Sequence, residues 1–256
     1  MNNYQTALIT GASSGIGFAT AKLLAERGMK IIVLARRHNR LEELKNQLSK
    51  PEDCHILACD LQDRTAIQNE INQLPDPFKF VDVLVNSAGL ALGLNKAQST
   101  HWEDWETMVE TNCMGLAYLT RQILPKMVER NKGHIVNIGS IAANYPYAGG
   151  NVYGATKAFV EQFSLNLKAD LLGTAVRITN LAPGMVSNSE FSLVRFEGNA
   201  EKAEKIYEGI TALTPEDIAE NVAWVISQPA HVNINRMEIM PTAQAPSRTA
   251  YHKENP

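Results

Sequence analysis

The segment TALITGASSGIG, residues 6–17, decides the fold, because an apolar run ends there in a turn that contains three glycines. Residues 6–10 favour a strand, and residues 18–27 carry apolar positions at helical spacing that end at Gly28. In this setting the glycines allow a tight turn and a close approach to a pyrophosphate, while the helix N-terminus offers free N–H groups and a positive dipole end. A plain strand–helix turn is the alternative, but the context favours a nucleotide-binding loop. The loop residues predicted to contact a cofactor are Gly11, Ser13, Ser14, Gly15, Ile16 and Gly17.

The same alternation of short apolar runs and helical stretches continues along the chain. The further predicted strands are residues 30–35, 55–59, 81–85, 134–138, 176–181 and 233–240, and the further predicted helices are residues 39–48, 64–74, 102–130, 152–172 and 215–227. Strands that are apolar throughout are covered on both faces, and repeated strand–helix units produce parallel pairing. The sequence therefore predicts an α/β fold: a single-domain, Rossmann-type, doubly wound parallel sheet of about seven strands with helices on both faces.

The sequence predicts one domain, a covering segment within it and a C-terminal tail. Residues 1–241 form the NADP-binding and catalytic domain, and within it residues 185–213 form a segment that covers the substrate. Residues 242–256 are a polar tail with two prolines, either a loose arm or one docked on a partner subunit.

Composition excludes several classes of protein. The 256 residues are 45% hydrophobic and 20% charged, which suits a large core, and the net charge of −3 argues against a nucleic-acid binder that depends on a basic field. Three cysteines without metal-like spacing argue against a disulfide framework and a metal site. The N-terminus lacks the basic region of a signal peptide, and no apolar stretch reaches the roughly 18 residues of a membrane span. We expect a cytoplasmic protein with neither nucleic-acid nor membrane partners.

The end of the second predicted strand indicates which dinucleotide is bound. NAD-binding folds usually place an acidic residue about 20 positions beyond the glycine loop, where it holds the ribose hydroxyls. Here Arg36 and Arg37 stand at that place. Guanidinium groups suit a 2′-phosphate by charge and by their forked geometry. A pair of solvated surface arginines is the alternative, and the prediction is NADP(H) in preference to NAD.

A candidate acid–base pair begins the helix at residues 152–172. Tyr153 and Lys157 are spaced i, i+4 and therefore share one helical face. A phenol has a reference pKa of about 10, and a nearby ammonium favours the phenolate, so the pair suits proton transfer to or from an alcohol or carbonyl oxygen. The spacing is common by chance in amphipathic helices. Ser140 and Asn86, however, follow two other strands at their carboxyl ends, the edge of such sheets where ligands bind.

These motifs together resemble the short-chain dehydrogenase/reductase family over essentially the whole chain. The resemblance rests on the TGASSGIG loop, the NSAG turn at residues 86–89, Ser140, the YGATK segment at residues 153–157 and the Pro183-Gly184 pair. It implies that Tyr153 is the catalytic acid–base and that Lys157 holds the nicotinamide ribose and lowers the tyrosine pKa. It also implies that Ser140 binds the reacting oxygen and that Asn112 supports a proton-relay water.

The resemblance also implies the remaining cofactor contacts. Asp60 and Leu61 are expected at the adenine, Asn86, Ala88 and Gly89 at the ribose and phosphate, and Pro183, Gly184 and Val186 beside the nicotinamide. Two positions depart from the family pattern. Ser87 replaces the second asparagine of the usual Asn-Asn-Ala-Gly turn, and Ser187 or Ser189 stands in for the threonine that commonly holds the carboxamide.

A finer resemblance concerns the substrate. Residues 88–93, 145–153, 190–196 and 229–235 are similar to the bacterial NADP-dependent 3-hydroxy acid dehydrogenases, a branch that includes serine/allo-threonine dehydrogenases and reductases of malonic semialdehyde or sulfoacetaldehyde. This similarity implies a small substrate with an acid group near the reacting carbon, and a homotetramer.

An acidic substrate needs a cation or a cluster of hydrogen-bond donors. Arg195 lies in the covering segment, where a guanidinium can bind carboxylate or sulfonate with two hydrogen bonds, although a surface pair with Glu190 or Glu197 is equally open. Tyr147 and Asn151 are candidate further donors. Two rival functions remain: a broader carbonyl reductase of uncharged substrates, and a non-catalytic NADP-sensing protein. The presence of Tyr153, Lys157 and Ser140 argues against the second.

Overall fold

One parallel sheet organises the molecule, and the computed structural model describes residues 4–246 of the chain. The strands are β1 (Thr6–Thr10), β2 (Lys30–Ala35), β3 (Cys54–Ala58), β4 (Val83–Asn86), β5 (Gly133–Ile138), β6 (Val176–Pro183) and β7 (Arg236–Ile239). They lie in the order β3-β2-β1-β4-β5-β6-β7, and every neighbouring pair is parallel. The predicted seven-stranded parallel sheet is therefore confirmed.

Helices cover both faces of the sheet. They are α1 (Gly15–Glu26), α2 (His38–Asn46), α3 (Arg64–Asn72), α4 (Trp102–Val109), α5 (Leu116–Glu129), α6 (Asn151–Asp170), α7 (Phe191–Arg195), α8 (Ala200–Lys205) and α9 (Pro215–Ser227). Successive side chains of β1 show the two layers: Ile9 packs in a core with Leu24 and Val222, and Leu8 in a second core with Ile123. Because side chains alternate across a strand, both faces of these apolar strands are buried.

The crevice lies where the strand order reverses next to β1. The strands β2 and β3 lie on one side of β1, and the strands β4 to β7 lie on the other. Ile9 pairs with Val33 of β2 on one side and with Val85 of β4 on the other. The helices that follow β1 and β4 therefore diverge to opposite faces and leave a gap at the carboxyl ends of the strands. Ligands of open α/β sheets bind at such a switch point.

The floor of this gap is a direct contact between two turns. The Thr10 hydroxyl oxygen accepts hydrogen bonds from the backbone N–H groups of Ser87, at 3.0 Å, and Ala88, at 2.9 Å. Gly11 follows with a φ of +67°, and a Cβ added there would lie 2.9 Å from the backbone of Ala88. Glycine is thus required both by backbone conformation and by close approach.

The long predicted helix at residues 102–130 is interrupted. A π-helical segment, Glu110–Gly115, separates α4 from α5. A Cβ added at Gly115 would lie 2.9 Å from the Leu61 carbonyl oxygen, so this turn packs tightly against the end of β3. A π turn adds a residue without removing the apolar pattern, which is why the sequence pattern predicts one continuous helix.

The segment at residues 185–213, predicted to cover the substrate, has a closed base. Val186 and Leu213 form a parallel bridge, in which the Ser187 N–H donates to the Leu213 carbonyl at 2.8 Å and the Leu213 N–H to the Met185 carbonyl at 3.0 Å. Between these ends the chain forms α7 and α8, and it continues into α9, which Thr214 and Asp217 cap reciprocally. The segment is therefore fixed at its base.

The predicted tail at residues 242–256 begins inside the structure. Gln244 accepts a hydrogen bond from the Met185 N–H at 3.0 Å, so the first tail residues contact their own chain, and residues 247–256 lie outside the described residues. No helix within residues 4–246 is long and apolar enough to cross a membrane.

Replacing Thr10 by valine should lower the free energy of unfolding by about 1–3 kcal/mol. The change keeps the shape of the side chain but leaves the N–H groups of Ser87 and Ala88 without their acceptor. Urea unfolding measures the effect. Thr6→Val, at an equally buried position of β1, is the matched control and should change stability by less than about 0.5 kcal/mol. Equal losses in both variants would contradict the role given to Thr10.

Candidate active site

A crevice of about 860 Å³ lies at the carboxyl ends of the strands. Its walls come from the glycine loop after β1, the ends of β2, β4, β5 and β6, and the covering segment at residues 185–213. The volume falls in the range of small-molecule and cofactor sites, about 300–1,000 Å³.

The reacting group predicted from the sequence comes together at one wall of this crevice. Tyr153 and Lys157 project from the first turns of α6, and Ser140 from the end of β5. The Tyr153 hydroxyl is hydrogen-bonded to Ser140, and Tyr153 is only 8% exposed. The Lys157 ammonium donates to the Ile138 carbonyl at 2.8 Å and lies 5.9 Å from the centroid of the Tyr153 ring. A phenol, a hydroxyl and an ammonium therefore converge where a substrate oxygen can reach them.

Burial is the main cause of the pKa shifts at this wall, and the lowering of the Tyr153 pKa by Lys157 stays a prediction. Burial raises the pKa of Tyr153 to about 12, against the lowering effects of the Arg195 guanidinium and the Ser140 hydrogen bond. Burial also lowers the pKa of Lys157 to about 8. Two cations lie over the Tyr153 ring: the Arg195 guanidinium carbon is 5.1 Å from its centroid, and the Lys157 ammonium, which also bonds the Ile138 carbonyl, is 5.9 Å from it. A phenol that stays protonated near neutral pH suits proton donation to a carbonyl oxygen.

Two predicted asparagines lie behind the crevice instead of lining it. Asn112, in the π-helical segment, accepts from the Leu90 N–H at 2.9 Å and donates to the Leu90 carbonyl at 2.8 Å and to Thr156 at 3.1 Å. Asn86 donates to Asn137 at 2.8 Å and is buried. These contacts hold the turn after β4 in place. The proton-relay role of Asn112 and the cofactor contact of Asn86 stay predictions.

Most of the predicted cofactor residues face the crevice. The ones that line it are Gly11, Ser13, Ser14, Gly15, Ile16, Arg36, Arg37, Asp60, Leu61, Ala88, Gly89, Pro183, Gly184 and Val186. Gly17 lies behind the loop, where an added Cβ would be 2.5 Å from the Gly11 carbonyl oxygen. A Cβ at Gly89 would lie 3.2 Å from the Asn112 amide oxygen and 3.4 Å from the Lys157 ammonium, so this turn passes close to the reacting group. The cradle of glycines and the N-terminus of α1 fit a dinucleotide phosphate.

Both arginines at the end of β2 have acidic partners in the structure. Arg37 donates from both terminal nitrogens to the Glu190 carboxylate, at 2.6 and 3.2 Å, and also to the Ser13 hydroxyl at 3.0 Å. Arg36 lies 3.7 Å from Asp60 and is largely exposed. The Arg37 hydrogen bonds are the main cause that lowers the pKa of Glu190. Glu190 is therefore the partner of Arg37, and the pairing with Arg195 that the sequence left open is absent from the described contacts.

Arg195 instead points towards the reacting group. Its terminal nitrogen donates to the Tyr147 hydroxyl at 2.6 Å, and its guanidinium stacks 5.1 Å from the ring centroids of Tyr153 and Phe191. Its Nε is buried, with no hydrogen-bond partner among residues 4–246. Asn151 donates to the Asn95 carbonyl at 3.3 Å and is absent from the crevice wall, so its substrate contact stays a prediction.

Sequence reasoning left the choice between Ser187 and Ser189 open and missed further residues of the crevice wall. Ser189 packs over the glycine loop, with its Cβ 3.1 Å from a Cβ added at Gly15, while Ser187 bonds the Leu213 carbonyl. Of the two serines considered for the carboxamide, the structure places Ser189 in the crevice. Gln244, Tyr207 and Ile210 complete the wall. No local pattern marks these residues, since they reach the crevice through long-range folding of the covering segment and the tail.

Comparison with known proteins identifies the family. The short chain dehydrogenase family model matches residues 5–198. The chain therefore belongs to the short-chain dehydrogenase/reductase family, and it has the Rossmann-type fold and the oxidoreductase class that the sequence predicts.

Individual relatives cover nearly the whole chain. It is 55% identical over 246 residues to an NADP-dependent 3-hydroxy acid dehydrogenase, YdfG, of Salmonella typhi, an alignment that spans 96% of this chain and 98% of the relative. It is 48% identical to a serine 3-dehydrogenase of Rhizobium radiobacter, over 94% and 95% of the two chains. A closed form of a serine dehydrogenase complexed with NADP⁺ superposes with a TM-score of 0.93 at 52% identity, covering 98% of this chain and all of that one. The predicted resemblance to the 3-hydroxy acid dehydrogenase branch is confirmed.

The buried ammonium of Lys157 predicts a specific dependence of stability on pH. Below pH 8 the folded and the unfolded chain both carry the charge, so folding bears the full cost of burying it. Between the folded pKa of about 8 and the ordinary value of 10.5, only the unfolded chain binds the proton, so the free energy of unfolding rises with pH. Lys157→Met removes this rise, and its stability relative to the wild type should fall by about 3 kcal/mol over that window.

Urea unfolding of both proteins between pH 7 and pH 10 checks this expectation and avoids most of the ionisation of Tyr153. Lys202→Met, which removes an exposed ammonium, is the control and should leave the shape of the profile unchanged. If the free energy of unfolding depends on pH in the same way in the wild type and in Lys157→Met, burial of the Lys157 ammonium has no free-energy cost.

Proposed function

We propose that the protein is an NADP(H)-dependent oxidoreductase that interconverts a small β-hydroxy acid, or its sulfonate analogue, with the corresponding aldehyde or ketone. The observation that carries this proposal is the placement of the Arg195 guanidinium over the ring of Tyr153, with its buried Nε unpaired among residues 4–246. A cation next to the proton donor selects a substrate whose acid group lies close to its reacting carbon.

The residues of the chain provide the acid–base part of the reaction. When bound, NADP(H) supplies or accepts a hydride at its nicotinamide ring. In reduction, Tyr153 donates its proton to the carbonyl oxygen; in oxidation it takes the proton from the alcohol. The Ser140 hydroxyl, bonded to the Tyr153 hydroxyl, orients the reacting oxygen. Arg36 and Arg37 provide cations for the 2′-phosphate at the other end of the crevice.

The arrangement around Arg195 suits an anion. The guanidinium is held by Tyr147 and flanked by the aromatic rings of Tyr153 and Phe191, and these contacts keep it beside the proton donor. It belongs to α7 of the covering segment, and a covered site excludes water and strengthens charge pairing. Carboxylate and sulfonate both accept two parallel hydrogen bonds from a guanidinium. The names of the 3-hydroxy acid and serine dehydrogenase relatives support the carboxylate.

A substrate panel tests the proposal. NADPH oxidation is followed with malonic semialdehyde and sulfoacetaldehyde, and NADP⁺ reduction with serine, 3-hydroxypropionate and isethionate. We expect turnover of at least one acidic pair and a clear preference for NADP(H) over NAD(H). Tyr153→Phe, which removes only the phenol oxygen, should lose more than nine-tenths of kcat while still binding NADPH. Turnover confined to uncharged carbonyl compounds would favour the broader reductase, and no turnover with bound NADPH would favour a sensor.

Arg195→Ala should raise KM for the acidic substrate roughly ten- to a hundredfold. The truncation removes a charged hydrogen bond in a covered site, which costs about 1.5–3 kcal/mol. Arg195→Lys should recover only part of this loss, because an ammonium lacks the planar fork. Steady-state kinetics with an uncharged aldehyde of similar size provide the control. Equal losses on both substrates would mean that Arg195 only supports the covering segment.

We further propose that the protein is a cytoplasmic homotetramer. The three cysteines are free and buried, which suits a reducing compartment. The helices α4 to α6 and their π-helical connection expose large apolar side chains, among them Trp102 at 66%, Phe159 at 40% and Leu165 at 40%. Apolar surface of this kind favours contact with further copies of the chain. Sedimentation should give about four times the chain mass of 28.2 kDa. A monomer at micromolar concentration would contradict the proposal.

A further inference from the structure

The carboxylate of Glu190 occupies the donors that the sequence assigns to the cofactor's 2′-phosphate. Arg37 faces Glu190 with both terminal nitrogens, at 2.6 and 3.2 Å, and Ser14 is a further hydrogen-bond partner of the same carboxylate. Ser13 completes the group through its bond to Arg37. The Glu190 oxygens thus stand where phosphate oxygens would find a guanidinium fork and loop hydroxyls.

We propose that Glu190 is a built-in competitor of the 2′-phosphate for Arg37, and that binding of the phosphate releases the covering segment from the glycine loop. The inference rests on the proposed use of NADP(H). The phosphate and the Glu190 carboxylate both need the terminal nitrogens of Arg37, so the two anions compete for the same donors. A cofactor without the 2′-phosphate leaves the pair intact.

Glu190 connects the exchange of anions at Arg37 to the substrate site, because it directly precedes the helix that ends at Arg195. Ser189, its neighbour, lies against Gly15 of the glycine loop, and α7 follows directly and ends at Arg195. The contacts that hold the start of α7 to the cofactor side of the crevice are therefore those of Ser189 and Glu190. When Glu190 leaves Arg37, the same short helix that carries the cation for the substrate loses its ionic anchor.

The ion pair is weak enough to be displaced. The side chains of Arg37 and Glu190 are 44% and 35% exposed, so solvent screens their attraction. A phosphate dianion carries about twice the charge of the carboxylate and offers three acceptor oxygens. The phosphate therefore prevails when it is present, and Glu190 reduces its net affinity by a modest factor.

Calorimetric titration with adenosine 2′,5′-bisphosphate and with ADP tests the proposal without turnover. Glu190→Gln keeps the shape of the side chain and removes its charge. It should bind the 2′,5′-bisphosphate roughly three- to tenfold more tightly than the wild type does, and bind ADP with less than a twofold change. The gain should shrink at high salt. Glu201→Gln, an exposed glutamate of the same segment without an ion pair among the described residues, is the matched control and should bind both ligands like the wild type.

The possible outcomes separate this inference from the proposed function. A wild type that binds the 2′,5′-bisphosphate no better than ADP would overturn the NADP(H) assignment and the inference with it. If the wild type prefers the bisphosphate but Glu190→Gln binds it equally or more weakly, the inference alone is overturned. The Arg37–Glu190 pair would then have no effect on phosphate binding or would stabilise the bound cofactor. Thermal unfolding of the variant establishes that it is folded.

Hydrogen exchange gives an independent readout on the wild type. The amides of residues 189–196 should exchange faster with the 2′,5′-bisphosphate bound than with ADP bound, because only the former takes Arg37 from Glu190. Equal or slower exchange with the bisphosphate would overturn the release of the covering segment.

Discussion

The contact between the turn after β1 and the turn after β4 is the constraint on which the site depends. The Thr10 hydroxyl accepts from two successive backbone N–H groups of the β4 turn, and Gly11 lies so close to Ala88 that no side chain fits between them. This contact sets how far apart the two halves of the sheet diverge. The glycine loop, which would hold the phosphates, and the turn that faces Lys157 therefore keep a fixed separation. Tyr153 and Arg37 both line the crevice to which this floor belongs.

Burial sets the chemistry at the reacting end. Desolvation raises the pKa of Tyr153 and lowers that of Lys157, so the phenol keeps its proton and the ammonium is the costlier group. The hydrogen bond from Lys157 to the Ile138 carbonyl offsets part of that cost. Arg195 then lowers the pKa of the phenol from the covering segment, against the effect of burial. The acid–base group is rigid, while the cation that adjusts it belongs to the segment.

The fold was largely predictable, because uninterrupted apolar strands and helical spacing each report on local burial. The main residues of the site were also predictable, because the carboxyl ends of parallel strands meet at one edge of the sheet. These residues are the glycine loop, Ser140, Tyr153 and Lys157. Other features were not. The π turn at Asn112 leaves the apolar pattern unchanged, and the partners of Glu190 and Arg195 depend on how residues 185–213 fold back over the crevice. The extent of burial around Tyr153 and Lys157 was not predictable either, since spacing along a helix gives proximity and leaves out desolvation.

Arg37 and Arg195, the two arginines proposed to bind anions, are linked through the short helix α7. Glu190 precedes α7 and pairs with Arg37 at the adenosine end, while Arg195 ends α7 and lies over Tyr153. In the proposed exchange, a change in the partner of Arg37 reaches Arg195 through the single short helix that separates Glu190 from Arg195. On this view, the covering segment joins recognition of the cofactor phosphate to recognition of the substrate acid, although the two charges lie at opposite ends of the crevice.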